Sequence, residues 1–576
     1  MELLKNLPET ASYDVVVVGA GGAGMSTALF AALDGAKVLL IEHTQYVGGS
    51  TAWSAGTTWV PGTHHAAKVN PTDTLKDART YLDAAIGNHA EPAMRQAFLD
   101  HGAAAVKRIE EHSAVQYRPY PKHPDYISDL PGSTLSGRAL EPVPFDGRLL
   151  GEWFGLIRPP IPEFTVLGGM MVDRTDINHL LGMTGSLASL KHSLKIVLRH
   201  ASDRLHYPRG TRLVMGNALI GRLLYSLSQQ AGVTLALNTT LEQLDGQSGP
   251  VHSVVIAKDG QRCTVTVRGG VVLASGGFNR NAAQRQEKLS GGNEAWCPGA
   301  PGHTGLALDL ARKRGAHFAE GGKSHAFWAP VSLRKRADGS TAVFPHFVMD
   351  RAKPGFVTVN QAGKRFVNES TSYHLFGLAM QEAHKASPSV PAYLVCDAPA
   401  LKKYGMGMVR PGGGGLAAFL ADGYLTEGAT LGELATKLGI DSAGLKTSVQ
   451  QINAYAQTGV DPDFGRGITA YQQNIGDATA GHKNPNIGPI QTGPFYAVRL
   501  YPGDIGASTG LATDAQARVL DAQQQPIEGL YAVGNDMNSI MGGVYTAPGI
   551  TIGPGLVFGY LAAQHAGARA KATATQ

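Results

Sequence analysis

Three stretches of this 576-residue chain hold residues whose types and spacing suit chemistry. Gly19-Ala20-Gly21-Gly22-Ala23-Gly24 satisfies G-x-G-x-x-G, and Glu42 follows about 20 residues on, as a ribose acid does. In such a motif the first glycine makes a tight turn and the second admits a pyrophosphate. The third lets helix and strand pack closely, while the acid accepts from ribose hydroxyls. A second loop, Gly48-Gly49-Ser50-Thr51-Ala52-Trp53-Ser54-Ala55-Gly56, is rich in glycine and hydroxyls. The third stretch, residues 541–555, reads MGGVYTAPGITIGPG and contains one ionisable group, Tyr545, among five glycines and two prolines. Its glycines and prolines oppose a long helix or a central strand and suit close approach of backbone to a ligand.

The elements that must position these residues are legible around the first motif. YDVVVV (residues 13–18) predicts a strand buried on both faces. MSTALFAALDGA predicts a helix of small residues ending near Gly35, and KVLLIE a second strand with Glu42 at its end. Strand, glycine turn, helix, strand and acid in this order specify a dinucleotide-binding unit, with phosphates at the helix N-terminus. Residues 15–33 carry no charge and are long enough to imitate a membrane span. Four glycines interrupt them, however, and no transmembrane helix is expected.

Composition narrows the class. Hydrophobic residues make up 43% and charged residues 16%, which fits a compact globular chain of more than one domain. The net charge is +5, but no basic run appears, so nucleic-acid binding is not expected. Cys263, Cys297 and Cys396 share no metal spacing, and no metal is expected. Without a disulfide framework or an evident signal segment, the expected compartment is the cytoplasm.

The hydroxyl-rich loop resembles the second cofactor contact of the fumarate reductase-like FAD family. Other pieces similar to that family follow in order: RGT at 209–211, GNALIGRLL from Gly216, the strand pair VTLALNTTLEQL, VVLASGGFNRN from Val271, GLYAVGND at 529–536 and TIGPG at 551–555. The resemblance covers nearly the whole chain and implies FAD. It implies cofactor contacts at Gly19, Gly21, Gly22, Ala23 and Gly24, then at Glu42 and His43. In the second loop they fall on Gly49, Ser50, Thr51, Ser54, Ala55 and Gly56. The distal pieces add Gly276, Asn535, Gly549 and Ile552.

Residues 503–563 resemble the end of the 3-ketosteroid dehydrogenases, in which a Y-x-G-P-G motif lies beside the flavin. That resemblance implies that the Tyr545 hydroxyl and the Gly549 N–H donate to a substrate C3 carbonyl. Arg365-Phe-Val-Asn-Glu369, followed by Tyr373 and a nearby Phe-Gly, is similar to the family's base segment and implies Tyr373 as the base. A third tyrosine, stabilising its phenolate, is implied at Tyr126 in Pro124-Asp-Tyr126; Tyr117 and Tyr120 stand nearby as alternatives. The activity implied is α,β-dehydrogenation of an apolar ketone, Δ1 desaturation of a 3-ketosteroid first, with an unnamed acceptor reoxidising the flavin. The family's middle glycine is Ala547 here, which leaves Δ4-(5α) dehydrogenation as an alternative. A fumarate reductase-like enzyme, using His346, His374 and Arg351 on a carboxylate, is another, and a non-catalytic FAD-binding protein is a third.

The expected fold class is α/β. A Rossmann-like, discontinuous FAD domain (1–325 and 501–576) carries an inserted α+β substrate domain at 326–500. Within the insert, residues 354–370 predict a hairpin about Gln361–Lys364, and YHLFGLAMQEAHK predicts a helix. Residues 142–205 are apolar and predict helices packed on the FAD domain or at a subunit interface, with peripheral membrane contact the alternative.

Overall fold

The computed structural model describes residues 1–246, 249–289, 291–347 and 350–574. Val15–Val18 are buried in the strand Thr10–Val18, which runs parallel between Val38–Ile41 and Gln261–Leu273. Having neighbours on both edges and packing on both faces explains why this strand is a continuous apolar run. Among the described residues the sheet has nine strands, and Pro526–Ala532 joins it in parallel against Val271–Leu273. Both ends of the chain therefore contribute strands to one layer, and Gly19 and Asn535 follow the two strands that flank Gln261–Leu273.

Small residues let the helices close over this sheet. The Gly22–Leu33 helix packs on the carboxy-terminal helix Ile552–Ala574. A Cβ at Gly559 would lie 2.6 Å from Thr27 Oγ1, and Phe30 meets Tyr560 edge-on at 5.1 Å.

One expectation about this sheet is corrected. Val233–Ala236 and Thr240–Leu244 are both strands, but they are not paired with each other. The first is wholly buried and runs parallel to Val38–Ile41; the second, half-exposed, is antiparallel to Ser253–Lys258. The chain crosses the sheet between them.

The second sheet is antiparallel, with six strands among the described residues around Phe495–Ala507. This central strand pairs with Ala326–Lys335, Ala392–Asp397 and Leu425–Gly428, and the expected change of domain at 500/501 falls inside it.

The hairpin expected at 354–370 is also corrected. Phe356–Val359 is a strand, and the turn closes with Gly363 N–H donating to the Asn360 carbonyl at 2.9 Å. The second limb forms no strand, and the first pairs instead with Ala392–Asp397. Side-chain charge explains the departure. Arg365 turns inward to Glu369 (2.8 Å) and Asp461 (2.9 Å), and Arg466 meets Glu369 at 3.2 Å, all four buried or nearly so. Loss of one member leaves a buried charge uncompensated. Glu369→Ala is accordingly expected to destabilise the protein by about 3–5 kcal/mol in urea unfolding; a change below about 1 kcal/mol would contradict a structural role for the cluster.

This cluster fixes the start of the helix Tyr373–Ala386. Ser372 caps it, its hydroxyl accepting from Leu375 N–H at 3.4 Å, and Tyr373 is its first residue.

Candidate active site

The cofactor cradle is built from close backbone approaches. Gly19 has φ +108°, and a Cβ there would lie 2.3 Å from the Ala274 carbonyl oxygen. A Cβ at Gly24 would lie 1.9 Å from the Gly19 carbonyl oxygen, whereas at Gly21 nothing lies within 4 Å. Two of the glycines thus close the turn and one faces open space. The Gly22–Leu33 helix has no side-chain cap and no acid in its first turn, so its leading N–H groups suit an anion. Glu42 accepts from Ala20 N–H at 2.9 Å and from the Thr44 N–H and hydroxyl at 2.9 and 2.8 Å. A carboxylate has about four acceptor sites, which leaves one for a ribose hydroxyl.

The hydroxyl-rich loop folds against this turn. Gly22 N–H donates to Thr51 Oγ1 at 3.3 Å, Gly48 N–H to the Ala20 carbonyl at 2.7 Å, and Ser54 Oγ accepts from Gly56 N–H at 2.9 Å. Gly49 lies against Gly21, a Cβ on it meeting the Gly21 Cα at 3.3 Å. Ser50 Oγ accepts from Ala300 N–H and lies 3.4 Å from His303 Nε2. His303 in turn sits against Gly276, joining two expected cofactor contacts, and its buried Nδ1 has no partner among the described residues. Burial holds its imidazole down at about 4. Asp536 clamps the Gly276 loop, accepting from Ser275 and Gly277 N–H at 2.5 and 2.7 Å. Ala23 packs on Gly534 and Gly555, and Ile552 opens the carboxy-terminal helix. His43 and Ala55 are exposed, and His43 Nδ1 lies 2.9 Å from Thr240 Oγ1. These residues fit a dinucleotide.

Phe327, Asn535, Ile550, Thr551 and Gly555 line a small cavity beside the cradle. Phe327 meets Tyr545 edge-on at 5.0 Å. Tyr373 lies 5.0 Å from Tyr545 and 5.4 Å from Tyr126 between ring centroids, and Tyr126 stacks on Tyr545 at 5.7 Å. The Tyr126 hydroxyl donates to the Tyr373 oxygen at 3.3 Å. Backbone fixes the arrangement: Tyr126 N–H and the Tyr81 hydroxyl both donate to the Thr546 carbonyl, at 2.8 and 2.5 Å. Of the two alternatives to Tyr126, Tyr117 reaches Thr58 and Tyr120 reaches Thr57, each at 3.5 Å; among the described residues no ring contact joins either to Tyr373 or Tyr545.

Gly549 has φ +91°, and a Cβ on it would lie 2.4 Å from the Thr57 carbonyl oxygen. Its carbonyl accepts from Trp59 N–H at 3.2 Å, while its own N–H has no acceptor among the described residues. A tyrosine hydroxyl and a free backbone donor thus occur four residues apart in a buried segment. Burial raises the Tyr126 and Tyr373 phenols well above their usual value, and neighbouring phenols add to the effect. Tyr545 is also raised by burial, with Tyr373 and Thr551 pulling the other way.

Tyr471, which stands in no motif, completes the cluster 4.7 Å from Tyr126. Burial pushes its hydroxyl up to about 12, with the Arg351 guanidinium opposing. Aromatic character was its only sequence signal, and 19 tyrosines share it. The expectation of no metal stands beside one grouping among the described residues: His64, His65 and Glu110 bring ligand atoms within 4.8 Å, outside the tyrosine cluster.

The FAD binding domain model matches residues 14–552. The chain belongs to the FAD binding domain family. It is an FAD-dependent oxidoreductase of the 3-ketosteroid dehydrogenase-like branch, and FAD is its cofactor. It is 37% identical over 560 residues to 4-oxocyclohex-2-ene-1-carboxylate 5-dehydrogenase of Sinomonas cyclohexanicum, covering 96% of this chain and 93% of that protein. It is 35% identical over 574 residues to 3-oxosteroid 1-dehydrogenase of Mycolicibacterium smegmatis, covering 97% and 98%. The structure of 3-ketosteroid delta1-dehydrogenase from Sterolibacterium denitrificans, in complex with 1,4-androstadiene-3,17-dione, matches with a TM-score of 0.90 at 35% identity. That match covers 97% of this chain and 100% of the other. No helix among the described residues is long and apolar enough to cross a membrane.

Proposed function

We propose that this FAD enzyme desaturates a six-membered cyclic ketone beside its carbonyl, a 3-ketosteroid at the Δ1 position first. The observation that carries the reading is the tyrosine cluster, with Tyr126 donating to Tyr373 at 3.3 Å beside Tyr545 and the free Gly549 N–H. The Tyr545 hydroxyl and Gly549 N–H donate to the ketone oxygen, stabilising the charge that develops there as the α-carbon loses a proton. The Tyr373 oxygen takes that proton, and the Tyr126 hydroxyl supports its phenolate. Bound FAD supplies the acceptor for the β-hydride. The substrate loses one proton and one hydride and gains a C=C bond, and a separate oxidant then takes the electrons. We read 1–325 with 501–576 as the FAD domain, 326–500 as the substrate domain, and, from three free cysteines, a reducing cytoplasm as the setting.

A second reading is favoured by relatives 37% and 33% identical, named for a 4-oxocyclohex-2-ene-1-carboxylate and a 4-oxocyclohexanecarboxylate: a small ring-ketone carboxylate, which presents the same ring ketone. The groups named for a fumarate reductase-like site are otherwise engaged. Arg351 donates to the carbonyls of His346, Phe347, Glu369 and Thr371. His346 lies between Asp350 (2.6 Å) and Ser332 (2.8 Å), and it holds the Asp350 carboxyl down at about 2 against burial. His374 accepts from Trp328 N–H and meets the Gly543 carbonyl at 3.1 Å.

A turnover panel with an artificial electron acceptor tests the proposal. Androst-4-ene-3,17-dione, 5α-androstane-3,17-dione and 4-oxocyclohexanecarboxylate are offered separately, and fumarate is offered with a reduced dye. Turnover of a ring ketone is expected; turnover of fumarate alone would overturn the reading.

Because burial raises the Tyr373 phenol, the fraction able to act as base grows with pH. We expect kcat/KM to rise about tenfold per pH unit from neutral into the alkaline range. A pH-independent profile would contradict the assignment.

A further inference from the structure

Outside the tyrosine cluster, two adjacent histidines converge on one carboxylate. Glu110 lies in the last turn of the helix Pro92–His112, at the negative end of its dipole, where a further negative charge is disfavoured. Its side chain is only 8% exposed, and among the described residues no lysine or arginine pairs with it. His65 Nε2 lies 2.9 Å from its Oε2, and His64 Nε2 lies 3.3 Å from the same oxygen. We propose that His64, His65 and Glu110 bind one divalent transition-metal ion of the zinc class.

The spacing suits such an ion. Zinc bonds to imidazole nitrogen and carboxylate oxygen are about 2.0–2.2 Å, so neighbouring ligands of a tetrahedral ion stand about 3.3 Å apart. His64 matches this spacing and His65 lies a few tenths of an ångström short of it, with all three ligand atoms within 4.8 Å of one another. Glu110 Oε1 accepts from Tyr117 N–H at 2.8 Å, which fixes the carboxylate while leaving Oε2 to both histidines. His65 is held in place by the turn that opens the short helix Ala66–Val69, where Lys68 N–H donates to its carbonyl at 3.1 Å. His64, half-exposed, stands on the solvent side and gives the ion an entry path. Two imidazoles with one carboxylate leave a fourth position for water, and imidazole donors select zinc, copper or nickel over magnesium and calcium. A second histidine pair shows the contrast. His179 and His192 stack at 4.4 Å, and His192 Nε2 lies 2.8 Å from Asp176. Arg212 meets that carboxylate at 2.6 Å and already supplies its positive charge. Among the described residues Glu110 has no such guanidinium.

The test uses the FAD-loaded full chain, free of any histidine tag, and isothermal titration with zinc chloride. One equivalent is expected to bind, and excess magnesium is not expected to displace it. X-ray absorption at the zinc edge is expected to show nitrogen and oxygen ligands at about 2.0–2.2 Å and no sulfur. Glu110→Gln and His65→Ala are each expected to weaken binding by at least about a hundredfold. His64→Ala, at a half-exposed position, is expected to lose at least about tenfold while keeping the thermal unfolding midpoint of the metal-free protein. His179→Ala/His192→Ala is expected to bind zinc as the wild type does. Failure of the wild type to bind a stoichiometric ion overturns the proposal, as does displacement by magnesium. Unchanged binding by folded His64→Ala and Glu110→Gln, or sulfur among the ligands, also overturns it and assigns the ion to other residues.

Discussion

Tyr373→Phe is expected to leave FAD bound and to lower the rate of flavin reduction by about 10²–10⁴-fold, the range of a lost general base. The geometry separates this effect from misfolding. The Tyr373 ring is held by Phe347 at 4.8 Å, Tyr545 at 5.0 Å and Tyr126 at 5.4 Å, and phenylalanine keeps all three contacts. The Ser372 cap and the Arg365–Glu369–Asp461 cluster that set the helix start are untouched. What is removed is the oxygen that accepts from Tyr126. The loss should therefore fall on kcat, with KM nearly unchanged, because the hydroxyl acts on the α-proton and not on the bound carbonyl. Tyr126→Phe should cost less, since it supports the phenolate and does not take the proton. The double variant should be little worse than Tyr373→Phe alone, as expected for residues acting as a unit. Anaerobic rapid mixing, following bleaching of the flavin, measures all three. Wild-type reduction rates in Tyr373→Phe would show that another group is the base.

The second large effect concerns the carbonyl. Tyr545→Phe is expected to lower kcat by about 10²–10³-fold, as removal of one fixed donor from an oxyanion site does. Packing again isolates the hydroxyl, because Phe327, Tyr126 and Tyr373 contact the ring. The remaining donor, Gly549 N–H, explains why activity should persist at a residual level. Substitution at Gly549 is a less clean probe, since any Cβ there meets the Thr57 carbonyl oxygen at 2.4 Å and the backbone has φ +91°. Steady-state kinetics on Tyr545→Phe, with the FAD content checked by absorbance, tests the prediction. A variant with unchanged kcat would place the ketone oxygen elsewhere.

The cofactor half of this site was readable because its signals are local. Gly19 takes φ +108°, Gly21 is left open and Gly24 packs on the Gly19 carbonyl oxygen, so their spacing encodes the turn, although the approach of Gly19 to the Ala274 carbonyl oxygen is set by the sheet. The two strand errors have non-local causes. Residues 365–369 looked like the return limb of a hairpin, but Arg365 is drawn to Asp461, nearly a hundred residues away, and the alternation of the segment says nothing about that charge. Val233–Ala236 and Thr240–Leu244 look like neighbours because a short link joins them, yet their partners lie elsewhere in the sheet. Tyr471 escaped notice for a related reason: it matters through what tertiary packing sets beside it, Tyr126. The exposed face of Leu187–Asp203 is an intermediate case. Its periodicity was visible as a helix, but which face would be covered depended on the fold.

Isotope fate in a single anaerobic turnover tests the central claim most directly. A ring ketone that is turned over is labelled with deuterium separately at the carbons α and β to its carbonyl, and the product is analysed by mass spectrometry and NMR. The structure predicts a new double bond between those two carbons, with α-deuterium lost to solvent and β-deuterium lost to the flavin. Full retention of α-deuterium, or a double bond remote from the carbonyl, would contradict proton removal by Tyr373 and the dehydrogenation it serves.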